Sequence, residues 1–349
     1  EVFVIMGGSG CGKSSALKVL LGLKTPATGE VYRDEPLWSA SFLLGDKLPK
    51  ANPAGGAPLW EGSPFWDKRS HDDREIATYD PDTGTGTAFR YDGTSTVTTE
   101  QLNFLDGNPT IAQQKLNYLR GDNSNEEPNG NFRTRLSKLG DIVHSSPLYQ
   151  GYSNTVGGST DLFGALFVGG NDGMLHAFYA GVEKDDPDNG TELFAYVPNL
   201  VFPNLGNLTQ PNFNHKYFVD STPFVRDTGA AKAVDGGTGT EKILVGGLGR
   251  GGKGYYGLDV SDPKNMTEAN ADEWVLWEYP TKSTLAAERE QLGFSYSRPV
   301  IVKSNDDDHP WVVIFGNGYD SQNQCASLFI LNARNGSLVN WLPTSVGTE

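Results

Sequence analysis

Along residues 139 to 349, short apolar runs alternate with glycine-rich polar turns, and the runs recur in a fixed order. Each cycle opens on a proline: Pro147, Pro223 and Pro299 stand at equal steps of 76 (223 − 147 and 299 − 223). The first run reads Ser146-Pro147-Leu148-Tyr149, then Thr222-Pro223-Phe224-Val225, then Arg298-Pro299-Val300-Ile301-Val302. A proline has no N–H to give a ladder, so it suits the first residue of a strand. A second run enters a glycine turn each time, as Leu166 to Gly170, Ile243 to Gly247 and Val312 to Gly316. Glycine supplies the positive-φ geometry of tight hairpins. A third run follows at Met174 to Phe178, Tyr255 to Val260 and Leu328 to Asn332, and a fourth ends on proline at Pro198, Pro280 and Pro343. Four strands joined by short turns in a repeating unit predict a propeller blade. The fold class expected is mainly β: a partial β-propeller with quinoprotein-like four-stranded blades, three of them present. A β-sandwich is the competing arrangement of the same strands.

Upstream the pattern changes. Residues 45 to 70 carry Pro49, Pro53, Pro58 and Pro64 among scattered glycines and tryptophans, which predicts extended loop. Thr98 and Gln101 make a capping box before Leu102 and Leu105, stopped at Asp106-Gly107. Asn108-Pro109 then opens a second helix through Ile111, Leu116 and Leu119 that ends at Gly121. Three segments are expected: 1–31, 32–138 as an irregular lead-in with two short helices, and 139–349 as the incomplete propeller.

Composition agrees with a loop-rich β chain, since 43 glycines in 349 residues is roughly 12%, above the usual ~7%. A net charge of −15 with a pI near 4.8 disfavours nucleic acid and anionic membrane as partners, because both need a basic face. No apolar stretch nears the ~20 residues of a membrane span, and the mean hydropathy is −0.43. Cys11 and Cys325 lie in unlike segments, with no disulfide framework or metal-ligand spacing. Both are expected to be lone thiols.

The first residues carry a different chemistry. Val2-Phe3-Val4-Ile5-Met6 reads as a buried parallel strand, too short and without the basic leader of a signal peptide. Directly after it, Gly7-Gly8-Ser9-Gly10-Cys11-Gly12-Lys13-Ser14 matches the phosphate-binding loop, in which backbone N–H groups and a helix N-terminus cradle phosphates. The nucleotide-binding candidates are Gly7, Gly10, Gly12, Lys13 for the terminal phosphates and Ser14 for Mg²⁺. Residues 1–31 resemble the Walker A segment of an ABC-transporter ATP-binding subunit. Beyond Val31 there is no apolar strand ending in paired acids and no Leu-Ser-Gly-Gly-Gln signature, and phosphoryl transfer depends on such positioning groups. ATP and Mg²⁺ are therefore not expected to be used, and the segment is read as a fused or mis-joined fragment.

Three further stretches carry a family resemblance. Leu119-Arg120-Gly121-Asp122, Phe132-Arg133-Thr134-Arg135 and Leu139-Gly140-Asp141-Ile142-Val143-His144-Ser145-Ser146-Pro147 resemble the lead-in to the propeller of PilC/PilY type IV pilus tip proteins. Val168-Gly169-Gly170-Asn171-Asp172-Gly173-Met174-Leu175-His176-Ala177-Phe178 and Ile314-Phe315-Gly316-Asn317-Gly318-Tyr319 continue it, over about 70–345. The resemblance implies a non-enzymatic role in pilus biogenesis and adhesion at the cell surface, pilus tip or outer membrane. The implied partners are pilin subunits or minor pilins and a host or abiotic surface. It also implies calcium, at a loop of spaced aspartates expected beyond Glu349. Extending the step from 299 by 76 gives 375, also past Glu349, so a larger propeller is expected.

Other candidates fit less well. The Asp185 to Gly190 loop has Pro187 at a ligand position, and Asp306-Asp307-Asp308 lacks alternate spacing, so both are expected to be solvated turns. His144, His176 and His215 have no nucleophile motif nearby and are expected in core or interface. No catalytic residue and no metal ligand is named. A quinoprotein-like dehydrogenase would share the blades, but such enzymes resemble one another in an adjacent cysteine pair, which is absent here. An ATP-driven motor subunit and a generic interaction propeller complete the alternatives.

Overall fold

The computed structural model describes residues 70–344 except 93–95, 136, 184, 185, 187 and 235. The described residues belong to one unit, Trp38–Glu349. The lead-in holds β1 (Ile76–Asp80), β2 (Thr85–Ala88), α1 (Thr99–Leu105) and α2 (Pro109–Arg120). Blade 1 follows as β3 (Leu148–Val156), β4 (Ser159–Gly169), β5 (Leu175–Gly181) and β6 (Glu192–Val197), and the short helix α3 (Phe202–Leu205) lies in the crossing to the next blade. Blade 2 is β7 (Phe224–Val234), β8 (Gly237–Gly247), β9 (Tyr255–Asp259), a turn of helix α4 (Ala271–Trp274) and β10 (Val275–Tyr279). After α5 (Ala286–Gln291), blade 3 is β11 (Val300–Lys303), β12 (Trp311–Gly316), β13 (Ser327–Asn332) and β14 (Leu338–Pro343). Each blade is an antiparallel meander in chain order. The molecule is mainly β and forms a three-bladed partial propeller.

The 76-residue step reappears as contacts between equivalent positions of neighbouring blades. The His144 N–H donates to Asp220 Oδ1 at 3.2 Å, and the Ser146 N–H to Thr222 Oγ1 at 2.8 Å, each across a separation of 76. The glycine that ends the second strand of blades 1 and 2 lets the next blade's lead-in approach. A Cβ at Gly169 would overlap the Val219 carbonyl oxygen, and one at Gly247 would press on the Ser295 side chain. Positions 219 and 295 are again one step apart.

Blade 2 is buried on both faces, which explains why its strands read as continuous apolar runs. Successive side chains of a strand point to opposite faces. Leu244 and Tyr256 therefore enter the core shared with blade 1, while Ile243, Val245 and Tyr255 enter the core shared with blade 3. The fourth strand divides at an irregularity in its register between Val275 and Trp277, with Val275 joining the first core and Trp277 and Tyr279 the second. Trp277 donates its indole N–H to the Ala333 carbonyl at 2.9 Å, and Gly336, at φ +66°, lets the β13–β14 turn lie against its ring. The aromatic residues of the fourth strands are inter-blade core, apart from Trp341, which is half-buried.

The two lead-in helices form as expected. Thr98 Oγ1 accepts from the Gln101 N–H while Gln101 Oε1 accepts from the Thr98 N–H, and the Gln101 amide donates to the Tyr79 carbonyl, fixing α1 to β1. Asn108 caps α2, Pro109 is its first residue, and Gly121 closes it at φ +121°.

Two features were not expected from the sequence. β1 and β2 form a hairpin that adds to the outer edge of blade 1, β1 running parallel to β6. The first two strands of blades 1 and 2 also run far past the predicted apolar cores, into long hairpins that meet at Thr155↔Thr238 and Val156↔Gly237. Only glycine permits that meeting, since a Cβ at 237 would overlap the Thr155 carbonyl oxygen.

Candidate functional site

Where the lead-in meets blade 1, three buried ionisable side chains and the half-buried Asp172 cluster together. Arg74 grips Glu192 with two N–H groups, Nε to Oε2 at 2.7 Å and Nη2 to Oε1 at 2.8 Å, and donates Nη1 to the Arg120 carbonyl at 2.7 Å. His176, fully buried in β5, sits between Glu192 Oε1 at 2.8 Å and Asp172 Oδ2 at 3.0 Å. The Gly140 N–H also donates to Asp172 Oδ2, at 2.7 Å. Beside this set, Arg120 reaches Glu268 at 2.6 Å and the carbonyls of Phe89, His71 and Arg74, and Arg90 closes on the other oxygen of Glu268.

Electrostatics fix the protonation states. Burial opposes a charge on His176, yet Asp172 and Glu192 outweigh it and push the imidazole up to about 9. Burial would raise Glu192, but Arg74 and His176 hold its carboxyl far below the usual range. Asp172 is likewise lowered, because His176, the Gly140 N–H and Arg74 overcome its burial. The result is two cations and two anions, with the imidazole clamped at both nitrogens. The cluster ties β5, β6, α2 and the 268 turn into one block.

Toward the surface, Asp172 opens on a cavity of about 210 Å³ whose walls include Tyr118, Arg133, Arg135, Ser137, Lys138 and Phe213. The Arg135 guanidinium lies over the Tyr118 ring at 3.5 Å and pairs with Glu126 at 2.9 Å, and Arg133 lies over Phe213 at 4.3 Å. Burial, then the nearby charges of Arg74 and Arg135, lower the Lys138 ammonium below its ordinary range. A ladder of rings continues outward from the cavity: Phe213 to His215 at 6.4 Å, His215 to Tyr217 at 4.9 Å, and Tyr217 to His144 at 5.6 Å, with Arg250 over Tyr217 at 4.6 Å. Asp141 holds His215 at 2.8 Å and Asp220 holds His144 at 2.7 Å.

Of the residues singled out from sequence, Gly7, Gly10, Gly12, Lys13 and Ser14 lie outside the described residues, as do Cys11 and Asp185. His176 is in the core; His144 and His215 are surface residues outside any strand, at the blade 1–blade 2 boundary. Asp306 is exposed and bonds His309, and no group of three potential metal ligands occurs among the described residues. Cys325 is a free thiol. Arg74, Glu192, Ser137 and Lys138 were not singled out. The signals for this corner came from His176, the Asn171-Asp172-Gly173 turn and the Leu119 to Asp122, Phe132 to Arg135 and Leu139 to Pro147 stretches.

Three meanders with lead-in contacts one repeat apart define a partial β-propeller. The PilY1 beta-propeller domain model matches residues 121–348, more than half of the sequence, and the chain belongs to that family. An ABC transporter model matches residues 1–78, further than the 31 residues read from the motif and ending inside β1. A type IV pilus biogenesis factor PilY1 homolog of Xylella fastidiosa is 35% identical over 240 residues, 62% of this chain and 15% of the relative. The type IV pilus biogenesis factor PilY1 of Pseudomonas aeruginosa strain PAK is 32% identical over 334 residues, 88% of this chain and 24% of the relative. The chain thus spans about a quarter or less of these relatives. The crystal structure of the Pseudomonas aeruginosa PilY1 C-terminal domain aligns with a TM-score of 0.36 and 31% identity, over 53% of this chain and 31% of that one.

Proposed function

We propose that this chain is a non-enzymatic propeller scaffold of a type IV pilus biogenesis protein, acting at the pilus tip or outer membrane in assembly and surface adhesion. The observation that carries this is the family propeller match across all three blades. The clamped state of His176 supports it, because the most strongly perturbed histidine is held by two carboxylates and is sealed from solvent. Pilin subunits or minor pilins are the proposed protein partners, and a host or abiotic surface the adhesive target. Calcium belongs in this proposal to a site outside this chain. Deleting the full-length gene should abolish piliation and attachment, and complementation should restore both; intact piliation and attachment after deletion would sink the proposal.

The second reading rests on the ABC transporter match. If residues 1–78 work as part of an ATP-binding subunit, the chain binds ATP through Lys13 and the Lys13→Ala variant does not. Equal ATP binding by both removes that reading and leaves a fused or mis-joined segment. A single long sequencing read across residues 31 to 38 decides whether the junction exists in the genome.

A further inference from the structure

The geometry points to the cavity between α2 and the Phe213 loop as a binding site for a small carboxylate, held by Arg133 and Ser137 with its apolar body against Tyr118 and Phe213. At about 210 Å³ the space would hold roughly seven waters at ~30 Å³ each, which suits one ring or a short side chain.

Two polar atoms of its wall lack partners. Arg133 Nε and Ser137 Oγ are both buried, and neither has a hydrogen-bond partner among the described residues. A buried donor left unmade is costly, and buried polar groups are nearly always satisfied by protein, water or ligand. The neighbouring charges are differently placed. Arg135 is held by Glu126, Asp172 by His176 and the Gly140 N–H, and Asp141 by His215. Arg133 makes no ion pair among the described residues; its guanidinium lies over the Phe213 face, its backbone N–H donates to the Thr209 carbonyl and its carbonyl accepts from the Tyr118 hydroxyl.

The cavity therefore presents a cation without a counter-charge, within a chain whose net charge is −15. Burial, and after it the charges of Arg74 and Arg135, lower the proton affinity of the neighbouring Lys138. An incoming carboxylate would meet a guanidinium edge and a hydroxyl donor, the pairing that suits a planar two-oxygen acceptor better than a neutral amide. Tyr118 and Phe213, each already carrying an arginine on one face, supply apolar walls.

The acid can be a free molecule or the C-terminus of a peptide, and the probes separate these. The full 349-residue chain is titrated with benzoate, benzamide, inorganic phosphate, and Ala-Ala-Phe with a free or amidated end, read by calorimetry and ligand-observed NMR. Benzoate is expected to bind at least tenfold tighter than benzamide, and Arg133→Gln to weaken it roughly ten- to hundredfold. Binding of the free-end peptide but not benzoate assigns the carboxylate to a chain terminus. Ser137→Ala, a smaller change, should weaken binding several-fold with an unchanged unfolding midpoint, so the test survives if Arg133→Gln misfolds. Absence of binding by every carboxylate, equal binding of benzamide or of phosphate, or unaltered affinity in both variants overturns the assignment.

Discussion

Glu278 should make this propeller lose stability as pH rises from about 4.5 to about 8, the reverse of what most carboxylates do. Its side chain in β10 is fully buried, and burial pushes the carboxyl up to about 8, against the opposing pull of the Tyr196 hydroxyl and the Asn199 N–H on Oε1. The second oxygen, Oε2, has no partner among the described residues, and neither has the Tyr256 hydroxyl, whose residue sits opposite Glu278 across the β9–β10 pair. The folded chain thus holds a proton that the unfolded chain releases near pH 4.5. Stability from this group is fully present below 4.5 and declines as pH rises through the folded value, by ~1.4 kcal/mol per unit. Over pH 5.5 to 7.5 that amounts to ~3 kcal/mol, a large share of the 5–15 kcal/mol typical of a domain.

Urea unfolding midpoints at half-unit intervals test this, with Glu278→Gln as the comparison. Glutamine keeps an Oε1 acceptor for Tyr196 and Asn199 but cannot ionise, so its slope in this window should flatten. His176 contributes a fall in the same direction, since its raised value stabilises the fold below pH 6.5 and that gain is lost as pH rises through about 9. The interval from 5.5 to 6.5 isolates Glu278. Parallel wild-type and Glu278→Gln curves across that interval would refute the account.

Removing one member of the buried pair, as Arg74→Met or Glu192→Gln, should cost about 3–5 kcal/mol, and a double-mutant cycle should show coupling well above the sub-kilocalorie values of exposed pairs. Trp277→Ala should cost about 3–5 kcal/mol in thermal or urea unfolding through the cavity left between blades 2 and 3 and the loss of the bond to Ala333. Gly237→Ala should separate the two long hairpins, seen as faster amide exchange at Thr155 to Val156 and Thr238 while the protection of β8 from Ile243 onward is unchanged. Thr98→Ala should cost ~1 kcal/mol by uncapping α1.

The blades and the two helices could be read from sequence because their signals are local: apolar runs of strand length, glycine turns, a capping box, an Asn-Pro start. β1 and β2 could not, since the five residues Ile76 to Asp80 owe their strand conformation to a parallel pairing with Ala195 to Val197. The extensions of β3, β4, β7 and β8 were missed for a related reason, as Thr155, Ser159, Thr238 and Gly239 carry no apolar periodicity and are held by pairing within each hairpin and, at Thr155 and Thr238, between the two. The charged cluster was the least visible part. Arg74 and Glu192 are 118 residues apart, and nothing in either neighbourhood tells a buried pair from two solvated charges.

The alternation along β8 has a mechanical consequence. Because Leu244 belongs to one core and its neighbours Ile243 and Val245 to the other, a single strand is the shared wall of both. A tug that displaces β8 would loosen both cores together, so blade 2 should yield as one cooperative event, and blades 1 and 3 should register strain in each other through it.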